Sequence, residues 1–217
     1  MLFRSLNRII SFRLDTGWRK RAIRTLLTVE NSLIVDLGTG TGDMAFNAAK
    51  IAGANARIVG LDFSLQMIRL AERKRGRFRR GTNIAFVQAS ALEAPIKGAI
   101  FDGAMTAFVL RNVSDLPRFF GEAHRLLKPG GKFVSLDMFP PSSGWFSSLY
   151  AVYFYRLMPW FGGLLSNDRK AYQYLSDSVC QFHPPETVAT MIEQAGFVEV
   201  KIQKFLRGAV CMHVAAK

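Results

Sequence analysis

The sequence predicts an α/β fold: a doubly wound, mostly parallel sheet of seven strands with the last strand antiparallel. Three observations predict it. Short apolar, β-branched runs alternate with helical stretches from residue 32 to residue 137, the pattern of strand–helix–strand crossovers. The first of these runs ends in a glycine-rich turn that opens a helix. The chain then closes on two strand-like runs, 197–205 and 209–214, separated only by Leu206-Arg207-Gly208. So short a connection cannot cross over and must pair its strands antiparallel.

Each element has a local reason. Residues 2–24 read as a basic amphipathic helix, with Leu2, Phe3, Leu6, Ile9 and Ile10 on one face and Arg4 and Arg8 opposite. Residues 32–37 (SLIVDL) form a buried strand, and a helix follows over 45–52. Residues 57–62 (RIVGLD) are the second strand, and 64–75 a helix capped by Ser64. Residues 83–88 and 101–108 are the third and fourth strands, and 132–137 the fifth. The helix before the fifth strand ends at Leu127, where Lys128-Pro129-Gly130-Gly131 makes a stop and turn.

At 217 residues the chain suits one domain, and 49% hydrophobic against 21% charged residues excludes a disordered or coiled-coil chain. The net charge of +13 is concentrated. Seven basic residues against Asp15 lie within 1–24, and seven against Glu72 within 69–80. Such patches attract phosphate-rich surfaces. Two cysteines, Cys180 and Cys211, give neither a disulfide framework nor a metal site and suit a reducing, cytoplasmic setting. The longest uncharged stretch, 138–155, contains Pro140, Pro141 and four serines and does not read as a transmembrane helix.

The strongest motif is Asp36-Leu37-Gly38-Thr39-Gly40-Thr41-Gly42-Asp43. Its glycines let the backbone turn tightly and approach a ligand. The dinucleotide fingerprint needs glycine where Asp43 stands. Carboxylates at this loop suit a cationic, zwitterionic ligand and repel a pyrophosphate. Asp62 ends the second strand and can accept hydrogen bonds from both hydroxyls of a ribose.

The D-x-G-x-G-x-G pattern resembles motif I of class I, Rossmann-like S-adenosylmethionine methyltransferases, which carry the same reversed final strand. A narrower resemblance rests on Phe108-Val109-Leu110-Arg111-Asn112-Val113-Ser114-Asp115 and Leu126-Leu127-Lys128-Pro129-Gly130-Gly131. It continues through Asn7-Arg8-Ile9-Ile10-Ser11-Phe12 with Trp18-Arg19-Lys20, Tyr172-Gln173-Tyr174-Leu175 and Phe182-His183-Pro184. The segments Ala195-Gly196-Phe197 and Gly208-Ala209-Val210-Cys211-Met212-His213 complete it. These stretches resemble the ubiquinone/menaquinone biosynthesis C-methyltransferases, nearly end to end. Departures are Phe3-Arg4 for the family's Tyr-Asp, Phe108-Val109 for its Phe-Gly, and Asp137 for the glutamate usual after strand five.

The resemblance implies S-adenosylmethionine as cofactor and a polyprenyl quinol as substrate. It implies a cofactor site of Asp36, Gly38, Gly40, Thr41, Gly42, Asp43, Asp62 and Phe63, with Ser90 and Ala91 at the adenine and Ala107 and Phe108 at the end of the fourth strand. Ring methylation requires a hydroxyl to lose its proton so that the adjacent carbon becomes nucleophilic. Arg111 and Asn112 are the candidate catalytic residues. Arg111 is always protonated and can hold a water or stabilise the phenolate, while Asn112 can orient the hydroxyl. His124 and His213 read as packing residues, and His183 as a base or brace at the substrate mouth.

Trp145, Phe146, Leu149, Tyr150, Tyr153, Phe154, Leu157 and Met158 form an apolar stripe within residues 139–182, readable as a lid over a prenyl tail or as core. With the basic segment 1–28 on anionic headgroups, the expectation is peripheral binding at the inner face of a membrane. Two other readings stand beside this one: a methyltransferase of another small molecule or of RNA, and a non-catalytic cofactor-binding scaffold. The fourth strand is not followed by an N-P-P-Y-type tetrad, which argues against nucleic acid. A homodimer is left open.

Overall fold

The computed structural model describes residues 15–27, 32–53, 56–78, 83–140 and 169–217. Seven strands form one sheet: β1 (Ser32–Leu37), β2 (Ala56–Asp62), β3 (Ile84–Gln88), β4 (Phe101–Ala107), β5 (Leu127–Met138), β6 (Val198–Phe205) and β7 (Val210–Ala216). Their order is β3-β2-β1-β4-β5-β7-β6. Pairs from β3 through β5 are parallel, and β7 runs antiparallel to both β5 and β6. The reversed strand is therefore interior, between two partners.

Apolar residues alternate between the two faces because successive side chains of a strand point opposite ways. Ile34 joins one core with Ala22, Ile23 and Leu26 of α1 (Asp15–Leu26) and Met44, Ala45 and Phe46 of α2 (Asp43–Ala52). Val35 and Leu37 join the other, with Phe119 and Phe120 of α4 (Leu116–Leu126) and Val188 and Ile192 of α6 (Pro185–Gln194). A Cβ on Gly103 would meet Leu26 Cγ at 2.8 Å, so α1 rides directly on β4. Helix α3 (Leu65–Arg75) starts as expected: Met67 N donates to Ser64 Oγ at 3.4 Å.

One element differs from the sequence reading. Helix α4 stops at Leu126, and Lys128-Pro129-Gly130-Gly131 belongs to β5 rather than to a free turn. Leu127 pairs with Phe101 and Lys132 with Gly103, so the four residues between bulge out of a continuous strand. The chain end supplies their partners. Gly130 N donates to Lys217 O and Lys217 N to Gly131 O, both at 2.9 Å.

The basic helix expected over 2–24 is described only from Asp15. Its earlier part, with Phe3 and Arg4, and the stripe of Trp145 to Met158 lie outside the described residues. Of the stretch 139–182, helix α5 (Arg169–Cys180) is described, beside the 3-10 turn of Leu110–Asn112. Among the described residues no helix is long and apolar enough to cross a membrane.

Candidate active site

The strand order reverses between β1 and β4, and a doubly wound sheet binds ligands at such a point, beyond the carboxyl ends of its strands. A cavity of about 740 Å³ lies there. Gly38 to Thr41 and Asp43 come to it from the end of β1, Asp62 to Ser64 and Met67 from β2, and Ser90 to Leu92 from β3. Ala107 to Val109, Asn112, Val113 and Ser114 come from β4, with Asp15 and Arg19 of α1, Phe119 of α4 and Tyr174 of α5.

Backbone hydrogen bonds within the glycine loop and to β2 hold it in place. Thr39 N donates to Leu61 O at 2.8 Å and Gly42 N to Thr39 O at 2.9 Å. Gly38 and Gly42 have φ of +72° and +81°, and a Cβ on either would come within 2.6 Å of Val109 or Phe86. Only glycine meets both demands.

Ten of the twelve residues expected at the cofactor line this cavity; Asp36 and Gly42 do not. Asp36 is buried and accepts from Thr39 Oγ1 at 2.6 Å. Burial pushes its carboxyl up to about 7, against the Thr39 bond and the Arg19 charge. Its visible work is to fix the loop. Gly42 ends the loop as the left-handed residue before α2.

Asp62 binds two backbone groups, Gly40 N at 2.8 Å and Ser64 N at 2.9 Å, and still faces the cavity. A carboxylate has lone pairs for further donors. Phe63 beside it is 80% exposed, an aromatic shelf at the rim. Phe108 takes a left-handed φ of 62°, rare for a bulky side chain, with its N–H on Leu136 O at 2.7 Å.

Two residues counted as surface charge belong to this site. Lys74 of α3 donates from Nζ to Thr41 O at 2.9 Å and to Asp43 Oδ1 at 3.1 Å, and so straps the glycine loop. Arg19 pairs with Asp15 through Nε at 3.4 Å, with its guanidinium 4.8 Å from the Phe108 ring centre. Each basic cluster, 1–24 and 69–80, thus sends one of its cations towards the cofactor loop. Sequence shows the sum of charge; folding decides which cations turn inward.

Arg111 and Asn112 separate. Asn112 lines the cavity and accepts from the Tyr174 hydroxyl at 3.1 Å. Arg111 lines a neighbouring cleft of about 640 Å³ with Asp177 and His183. The two spaces share Val113, Ser114 and Tyr174. The Arg111 side chain is buried and ion-paired through Nη1 with Asp137. Asp137 also accepts from Leu110 N and Met138 N, each at 2.8 Å.

His213 is buried between Pro185 O at 2.9 Å from Nε2 and Ser135 Oγ at 3.3 Å from Nδ1. His124 stacks edge-on against Phe197. Both serve packing, and burial holds both below the usual imidazole value.

The lining fits S-adenosylmethionine. Asp62 offers acceptors for ribose hydroxyls, and Phe63, Met67, Ala91 and Leu92 offer apolar surface for a base. Asp15, Asp43 and Asp62 outnumber Arg19, which suits a sulfonium and disfavours a pyrophosphate.

Fold and site together define a class I, S-adenosylmethionine-dependent methyltransferase. Solved structures share the architecture. A SAM-dependent methyltransferase from Aquifex aeolicus superposes with a TM-score of 0.63 at 18% identity, over 91% of this chain and 88% of that one. Phosphoethanolamine N-methyltransferase 2 from Haemonchus contortus, in complex with S-adenosyl-L-methionine, superposes at 0.69 and 15% identity, over 93% of this chain and 52% of that one. The chain belongs to the ubiE/COQ5 methyltransferase family, whose profile matches residues 2–217. It is 40% identical to a demethylmenaquinone methyltransferase of Thermus thermophilus over 96% of this chain and 93% of that protein. One from Staphylococcus aureus is 34% identical over 98% and 87%.

Proposed function

We propose that the protein transfers a methyl group from S-adenosylmethionine to a ring carbon of a demethylated polyprenyl quinol, with a demethylmenaquinol as substrate. The observation that carries this reading is the second cleft, joined to the cofactor cavity at Tyr174 and walled by Arg111. Kinship with the demethylmenaquinone methyltransferases supports a demethylmenaquinol ring.

When bound, S-adenosylmethionine supplies a methyl group on a good leaving group, open to in-line attack. The chain orients the acceptor and manages one proton. Asn112 and Tyr174, hydrogen-bonded to each other at the junction, orient a ring hydroxyl. Arg111, fixed by Asp137, presents a permanent positive charge to the cleft. That charge stabilises the ionised ring hydroxyl, whose proton leaves through water to bulk solvent.

The test is turnover of a short-tailed demethylmenaquinol with methyl-labelled cofactor. Label in a ring methyl group supports the reading, and transfer only to a benzenoid quinol redirects it to the other ring. Cofactor binding without transfer to either overturns it in favour of a scaffold. Labelled RNA instead favours the nucleic-acid reading.

The same reading extends to a membrane surface. Arg69, Arg73 and Arg77 are exposed on or just beyond α3, where anionic headgroups can meet them. Sedimentation with phosphatidylglycerol vesicles at low salt, lost in an R69E/R73E/R77E variant, supports docking; indifference to the vesicles overturns it.

A further inference from the structure

Arg19 is the only cation among the described residues lining the cofactor cavity, and the chemistry above gives it no task. Its side chain is 12% exposed, which is costly for a guanidinium unless a partner or ligand needs it there. Among the described residues it is held by Asp15 Oδ2, 3.4 Å from Nε, and by the Phe108 ring, 4.8 Å below Cζ. A guanidinium carries five N–H donors in a planar fork, so the Nε pair leaves donors for a second carboxylate.

The strand order says which end of the cofactor this fork meets. Asp62, Phe63, Ser90 and Ala91 stand over β2 and β3, where the nucleoside end is read above. Arg19 lies against Phe108, at the end of β4 on the other side of β1. A cofactor laid across the switch point puts its aminoacyl end there. That end is a zwitterion, and its α-carboxylate is the cofactor's only anionic group. Asp43, at the loop below, is the complementary acid for the ammonium.

We propose that Arg19 recognises the α-carboxylate of S-adenosylmethionine, with Asp15 and Phe108 as the residues that position its guanidinium. This rests on the reading of the cavity as a cofactor site. It assigns helix α1, outside the glycine loop, a direct part in binding. Burial lowers the proton affinity of Arg19, and the charges of Asp43, Asp15 and Asp36 offset part of that loss.

The experiment compares ligands that differ only at that end, using calorimetry on the full chain. S-adenosylhomocysteine carries the carboxylate; its decarboxylated homologue and 5′-methylthioadenosine do not. The wild type is expected to prefer S-adenosylhomocysteine to the decarboxylated homologue by about 10- to 100-fold, the range of a charge-assisted hydrogen-bonded pair. R19Q is expected to lose that preference while binding methylthioadenosine within about twofold of wild type, and R19K to recover part of it. A wild type that binds the decarboxylated homologue as tightly as S-adenosylhomocysteine overturns the proposal, whatever the variants do. So does an R19Q that weakens both nucleosides equally, which is the mark of a merely structural arginine. Failure of the wild type to bind any of the three would instead sink the cofactor reading itself.

Discussion

Arg111 and Asp137 form a buried ion pair that ties the turn after β4 to the end of β5, with side chains 4% and 0% exposed. Asp137 holds Leu110 N and Met138 N as well, so one carboxylate fixes both ends of the junction between the two clefts. Its replacement by alanine strands a buried guanidinium and two backbone donors. D137A is expected to lose about 3–5 kcal/mol in urea-induced unfolding. Its methyl-transfer rate should fall more than its cofactor affinity, since Asp137 does not line the cofactor cavity.

Asp62 joins the cofactor loop to the start of α3 through Gly40 N and Ser64 N. D62A removes that link together with the ribose acceptors. S-adenosylhomocysteine should bind about 10- to 100-fold more weakly by calorimetry, the range for one or two bonds to a charged acceptor. An affinity within twofold of wild type would remove Asp62 from the site.

Lys74 reaches from α3 to Thr41 O and Asp43 Oδ1 and holds the loop from outside the cavity. K74M is expected to raise the dissociation constant for S-adenosylhomocysteine by about 3- to 10-fold, the effect of one modest hydrogen bond. Backbone amide exchange at Gly40 to Gly42 should speed up in the free protein, while exchange in β5 stays unchanged.

The carboxyl of Asp36 stands at about 7 in the fold, against an ordinary value of 3.8. The folded state keeps a proton that the unfolded chain releases near pH 4, so stability is greatest below that pH and falls as pH rises towards 7. The loss can reach about 4 kcal/mol. D36N keeps an oxygen for Thr39 without the titration. Its unfolding free energy should gain on wild type by up to that amount between pH 4 and 8. A constant difference across the range would refute the buried-carboxyl account.

Much of the frame was legible because it is local. Residues 32–37 match β1 at both ends, since a β-branched run stops where glycines begin. Ser64 before α3 was equally readable, and so was the short link between β6 and β7, four residues in the fold where the sequence suggests three. The bulge at Lys128-Pro129-Gly130-Gly131 was not, because its hydrogen bonds go to Lys217 at the far end of the chain. Tyr174 stood out only as part of a family-like stretch; its contact with Asn112 crosses 62 positions.

By itself the sequence determined the order of strands and helices, the glycine loop and the acid at the end of β2, because periodicity, capping and glycine's freedom act over a few residues. Tertiary structure alone decided what each charge does. It brought Arg19 to the cavity at the switch point and Lys74 to the glycine loop, set Asp36 beneath Thr39, and put Arg111 in the wall of a second cleft. A charge acts through distance and burial, and both are fixed only when remote segments pack together.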